Sequence, residues 1–240
     1  MLHISLSAEK IWSIGSFPIT NSLLSTWIVM GFLFICSFFI RSRIRLVPTN
    51  VQQIAEVVLD GLYDFFESVM GQHVKKVFPL LASLFLFIIC ANWMGLLPGV
   101  GTIGFFEGEK KFVPLLRGAT ADLNTTLSLA IIAFLAIQYF GFKTLGVHYG
   151  KRFVNLSNPI MFFVGLLEII SDFSKVISFA FRLFGNIFAG EVLLTVMAFL
   201  MPFIAPMPFL VLELFIGFIQ ALVFSTLTAV FINVAVAHEE

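Results

Sequence analysis

The stretch SFAFRLFGNIFAGEVLL, residues 178–194, carries Arg182, Asn186 and Glu191 through one of the most apolar parts of the chain. A cation at the centre of a bilayer costs about 3 kcal/mol on insertion scales. Arg182 is therefore expected to face a partner or a water-filled path. Outward from it, no proline interrupts residues 160–201, and the next breaks are Pro202, Pro206 and Pro208. A helix of that length spans roughly 63 Å, about twice the hydrocarbon thickness of a bilayer. Held within the membrane it must lean by about 60°, against a usual tilt of about 20°. Residues 209–237 make a helix of roughly 43 Å, which also leans or protrudes. The two are expected to form a hairpin of long, steeply tilted helices, with Gly185 and Gly190 as positions where a kink is tolerable.

Composition decides the class. Hydrophobic residues make up 59% of the 240 and charged residues 12%, against roughly 45–50% and about 25% in soluble domains. The excess apolar surface has only lipid to face, so the chain reads as a single all-α membrane domain. The net charge is zero, and no global field points to nucleic acid. Cys36 and Cys90 lie in apolar runs at different expected depths and read as packing residues, with no metal-ligand spacing.

Residues 1–20 lack the basic start and small-residue cleavage site of a signal peptide. Residues 23–40 form a first span ending in Arg41, Arg43 and Arg45, which makes that end cytoplasmic and the N-terminus external. Over residues 49–72, Ile54, Val57, Val58, Leu62, Phe65, Phe66 and Val69 recur at helical spacing between Glu56, Asp60, Asp64 and Glu67. That is an amphipathic helix on the inner membrane surface or against partner subunits; an ordinary surface helix with a solvated acidic face fits the pattern equally. Lys75 and Lys76 precede a second span, 77–97; residues 98–120 read as a glycine-rich outer loop; a third span, 126–145, ends near Lys143, Lys151 and Arg152. There are then about five membrane helices plus one surface helix.

The ionisable groups of the final region are Glu168, Asp172, Lys175, Arg182, Glu191 and Glu213, ahead of His238. Glu168, Lys175 and Arg182 are heptad-spaced, and Asp172 and Lys175 can pair across three residues. Glu191 lies two and a half turns after Arg182, on the opposite face. No acid on its own helix is well placed for Arg182. The Arg182 face shows Ser171, Ser174, Ser178, Gly185 and Ala189, small residues that let another helix approach. Static helix packing explains those small residues, though not an arginine among them. Arginine keeps its proton at physiological pH, whereas Glu191 and Glu213 can exchange theirs, and Gln220 lies nearly on the Glu213 face. Fixed positive charge beside exchangeable carboxylates suits ion translocation. His3, His73, His148 and His238 lie near ends or in loops and are not expected to carry protons.

FRLFGNIFAGE (residues 181–191), ADLNTT (121–126), LEIISDFSK (167–175) and IQALVFSTL (219–227) resemble, in order and spacing, subunit a of the F-type ATP synthase. The resemblance spans residues 48–238. It implies that Arg182 is the stator arginine facing a carboxylate on the rotating c-subunit ring, with Asn186 one turn away. It implies that Glu191, Glu213 and Gln220 belong to the aqueous half-channels, that Glu168 lies near the cytoplasmic one, and that Asp122 and Asn124 serve outer access. It further implies partnership with the c-ring, the b-subunit peripheral stalk and the rest of the synthase. Glutamate at both 191 and 213 resembles bacterial or chloroplast-type members, hence a bacterial inner membrane with the C-terminus cytoplasmic, ahead of an organelle or thylakoid membrane. No GxxxxGK[ST] and no GxGxxG after a strand occurs, so no nucleotide, cofactor or metal is expected to bind, and no catalysis by the chain alone. The competing classes are a secondary transporter or stand-alone ion channel, against which no inverted repeat is visible, and a passive membrane scaffold, for which Arg182 would be dispensable.

Overall fold

The computed structural model describes residues 8–14, 17–42, 44–45, 48–97, 99–107, 111–146, 149–150, 153, 159–201 and 204–236. Backbone N–H and C=O groups in lipid must be satisfied within their own segment, and the apolar runs accordingly become helices. These are α1 (Asn21–Ser42), α2 (Asn50–Met70), α3 (Val74–Gly95), α4 (Leu123–Leu145), α5 (Pro159–Leu200) and α6 (Pro206–Val236). A 3-10 turn, Gly71–His73, joins α2 to α3. Among the described residues, five helical stretches are long and apolar enough to cross a membrane, with α2 and α3 counted as one. The architecture is that of an all-α membrane protein.

Two small features depart from the expected loops. Residues before α1 form a β-hairpin, β1 (Lys10–Ile14) with β2 (Phe17–Thr20), in which Trp12 pairs with Ile19. The glycine-rich segment after α3 holds a second, β3 (Gly104–Glu107) with β4 (Lys111–Pro114), in which Phe105 pairs with Val113. Strands of four or five residues carry too little alternation to stand out from a loop.

α5 runs without a break through Gly185 and Gly190. It packs against α4 and α6, and α6 packs in turn against α3 and α4. Small residues fill these contacts: Ala82, Ala91, Ala130, Ala133, Ala180, Ala221, Ala229 and Ala235 are all buried. In lipid there is little hydrophobic gain from bringing two apolar helices together, so close backbone approach carries the packing. At Gly217 of α6 a Cβ would stand 3.1 Å from the Asn92 Cβ of α3. That closeness lets Asn92 Nδ2 donate to the Gly217 carbonyl at 2.8 Å.

The apolar stripe of α2 divides. Leu62, Phe66 and Met70 are buried in the chain's own core, whereas Val51, Ile54 and Val57 stay exposed. α2 therefore packs partly against its own chain, on α3 and α6. Along α1 the usual pattern inverts: Asn21, Ser22, Ser25 and Val29 are buried, while Trp27, Phe32, Phe34 and Phe38 face outward. Apolar surface of that extent is at home in lipid or against a partner. Arg41, Arg45, Lys75, Lys76 and Lys143 are exposed at one end of the bundle; Arg43, Lys151 and Arg152 lie outside the described residues. Cys36 and Cys90 are free and partly buried.

Candidate functional site

α5 has two unlike faces. Asp172, Val176, Phe179, Ala180, Leu183, Ile187 and Gly190 are buried against the bundle. Ser171, Ser174, Ser178, Arg182, Gly185, Asn186 and Ala189 are uncovered. Arg182 Nη2 donates to Ser178 Oγ, one turn earlier, at 3.4 Å. Among the described residues no carboxylate comes within ion-pair distance of Arg182. A guanidinium with five donors and one neutral acceptor is incompletely satisfied. It stands on a small-residue face that none of the described elements covers.

Glu213 comes from the first turns of α6 and is 4% exposed. It meets α5 at Gly190, where an added Cβ would collide with the Glu213 carboxyl group. The absent side chain at residue 190 is what makes room for this acid, and Glu213 Oε1 has no hydrogen-bond partner among the described residues. Gln220, two turns further along α6, is half-buried. Glu191 follows Gly190 and turns away from Arg182, as helical spacing requires.

Its partner is Arg117, a residue that sequence reasoning passed over. The Arg117 guanidinium lies 3.4 Å from Glu191, through Nε to Oε1 and through Nε and Nη2 to Oε2. The Arg117 side chain is 7% exposed and that of Glu191 40% exposed. The only signal in the sequence is an arginine in the otherwise apolar run PLLRGATA, residues 114–121, just ahead of α4.

Asp122 and Asn124 open α4. Asp122 is buried and serves as N-cap, its Oδ1 accepting from Asn124 N at 3.1 Å and from Asn124 Nδ2 at 3.3 Å. Its Oδ2 accepts from Ser22 Oγ of α1 at 2.6 Å. Asp122 thus ties α1 to the head of α4, with Asn124 holding its other oxygen, at the end of the bundle that holds Glu191 and Glu213.

Toward the other end, Asp172 pairs with Lys175 and accepts from Gln138 Nε2 of α4 at 2.9 Å. The Lys175 ammonium lies 4.9 Å from the centroid of the Phe231 ring. Lys175 therefore points into the bundle, and the heptad spacing of Glu168, Lys175 and Arg182 does not produce one charged stripe. Glu168 is half-buried one turn before Asp172. His73 sits exposed in the turn between α2 and α3; His3, His148 and His238 lie outside the described residues.

Residues 23–233 match the family model described as ATP synthase A chain. The chain is also 35% identical over 216 residues to the ATP synthase subunit a of Trichlorobacter lovleyi, an alignment covering 89% of this chain and 86% of that one. A bundle of membrane-length helices agrees with that match, which takes in all five of the long apolar stretches. The chain belongs to the ATP synthase A chain family, as a multi-pass membrane protein.

Proposed function

We propose that this chain is the ion-translocating stator subunit of the membrane sector of ATP synthase, with Arg182 acting on a carboxylate of the rotating c-ring. The observation that carries the reading is an arginine that has no acidic partner among the described residues, on a small-residue face of α5 that none of them covers. A helix approaching that face can bring its backbone close. A carboxylate on it would meet a cation that never deprotonates. Attraction to Arg182 stabilises the ionised form of the ring carboxylate, so its proton leaves as it arrives. Rotation past the arginine then frees the carboxylate to take up another.

Two separate proton routes follow from this. Glu191, Glu213 and Gln220 belong to the half-channel at the end holding the N-terminal hairpin, which we assign to the outer side. Glu168 belongs to the other, cytoplasmic, half-channel, and Asn186 flanks the arginine. Asp122, through its hold on Ser22 of α1, and Asn124, at the head of α4, border the outer route. The membrane is a bacterial inner membrane, the N-terminus is external, and a b-subunit stalk anchors the chain. Each elementary charge crossing 100 mV delivers about 2.3 kcal/mol, so several must pass for each ATP made. Arg182→Ala should abolish ATP-driven proton pumping in proteoliposomes while the subunit still copurifies with the ring. Normal pumping by that variant would leave a passive scaffold as the better description.

A further inference from the structure

The Arg117–Glu191 pair is a charge cluster that the stator mechanism does not require. Arg117 comes from the segment between β4 and α4, and its backbone N–H donates to Ser25 Oγ of α1 at 3.3 Å. Its guanidinium carbon lies 5.9 Å from the Phe188 ring centroid of α5, and its nitrogens reach Glu191 at 3.4 Å. Three parts of the fold therefore hold one buried cation against a carboxylate that is itself 40% exposed. Among the described residues, the charged group that contacts Glu191 is Arg117, from the segment before α4, and the carboxyl of Glu213, from α6, lies against the preceding residue, Gly190. Arg182 stands on the opposite face of α5.

We infer that Arg117 is a positioning residue for the outer proton route: a fixed counter-charge that restores Glu191 to its carboxylate after every proton. When a proton binds a Glu191 oxygen, the Arg117–Glu191 ion pair is broken, and the guanidinium cannot answer by releasing a proton of its own. The proton is then driven onward to the next acceptor, Glu213, and the ion pair re-forms. This inference rests on the proposed role of Glu191 in the route.

The test is the rate of ATP synthesis by the whole synthase in proteoliposomes, under a fixed potassium diffusion potential, titrated against lumenal pH. An opposite charge at this distance moves proton uptake by about one to three pH units. Arg117→Gln should shift the half-maximal lumenal pH to the alkaline side by that amount, and Arg117→Lys should leave it near the wild-type value. A lower rate with an unmoved midpoint in Arg117→Gln would reduce Arg117 to a structural contact and overturn the inference. Glu191→Gln separates the two claims. Wild-type synthesis in that variant would overturn the route itself, whereas lost synthesis beside an unmoved Arg117→Gln midpoint overturns only the role of Arg117. Should Arg117→Gln fail to copurify with the ring, Glu191→Cys reads the local charge with Arg117 in place. Anionic methanethiosulfonate should then modify it about tenfold faster than the cationic reagent, and equal rates would overturn the inference.

Discussion

Gly190 and Glu213 form a contact in which one residue exists to leave space for the other. Any side chain at 190 would enter the volume of the Glu213 carboxyl group. Overpacking of this kind costs about 1–3 kcal/mol. Gly190→Ala should therefore lower ATP-driven proton pumping and the thermal midpoint of the purified synthase together. Shortening the acid in Gly190→Ala/Glu213→Asp should recover part of both, because one methylene is withdrawn from the clash. An undiminished single variant would show that the two helices separate freely at this level. Arg182 belongs to the same scale. Its lack of an intrahelical acid was legible from residue spacing alone, since direction around a helix follows from 3.6 residues per turn. The partner of Glu191 was not legible, because Arg117 lies 74 residues away.

The start of α4 shows how one acid organises several elements. Asp122 caps the helix through one oxygen and holds Ser22 of α1 through the other. Nearby, Thr120 Oγ1 donates to Asn92 Oδ1 at 2.7 Å while Asn92 holds the Gly217 carbonyl, so α3, α6 and the turn before α4 share one polar chain. Losing an N-cap costs about 0.5–2 kcal/mol, and a buried hydroxyl left without its acceptor adds about 1–3. Asp122→Ala should lower the thermal midpoint of the complex clearly, and Asp122→Asn, which still accepts, should lower it less. Equal midpoints for the two would remove the cap and the Ser22 bond from the account. The helix could be read from the sequence, as could an acid at its head. The tie to α1 could not, since it joins residues 100 apart.

The whole molecule leaves its most unusual surface open. Along α5, apolar and small residues surround Arg182 with no cover from the described residues, while α1 shows lipid-compatible side chains around most of its girth. Under the proposed function the α5 face is where the ring turns. Ser178→Cys and Gly185→Cys should each crosslink to the small hairpin subunit, and Phe179→Cys, on the buried face, should not. Crosslinks from all three alike would mean that the ring does not use this face.

Composition, hydrophobic run lengths and residue spacing by themselves determined that this is a helical membrane protein with an arginine facing away from its own helix's acids. Those are properties of local chemistry: lipid admits few backbone solutions, and a helix repeats its faces. Only the tertiary structure decided that Glu191 pairs with Arg117, that Gly190 houses Glu213, and that Lys175 points inward. Each of these depends on which distant segments are brought together, and the tight fit of alanine-lined helices sets that, not the pattern within any one of them.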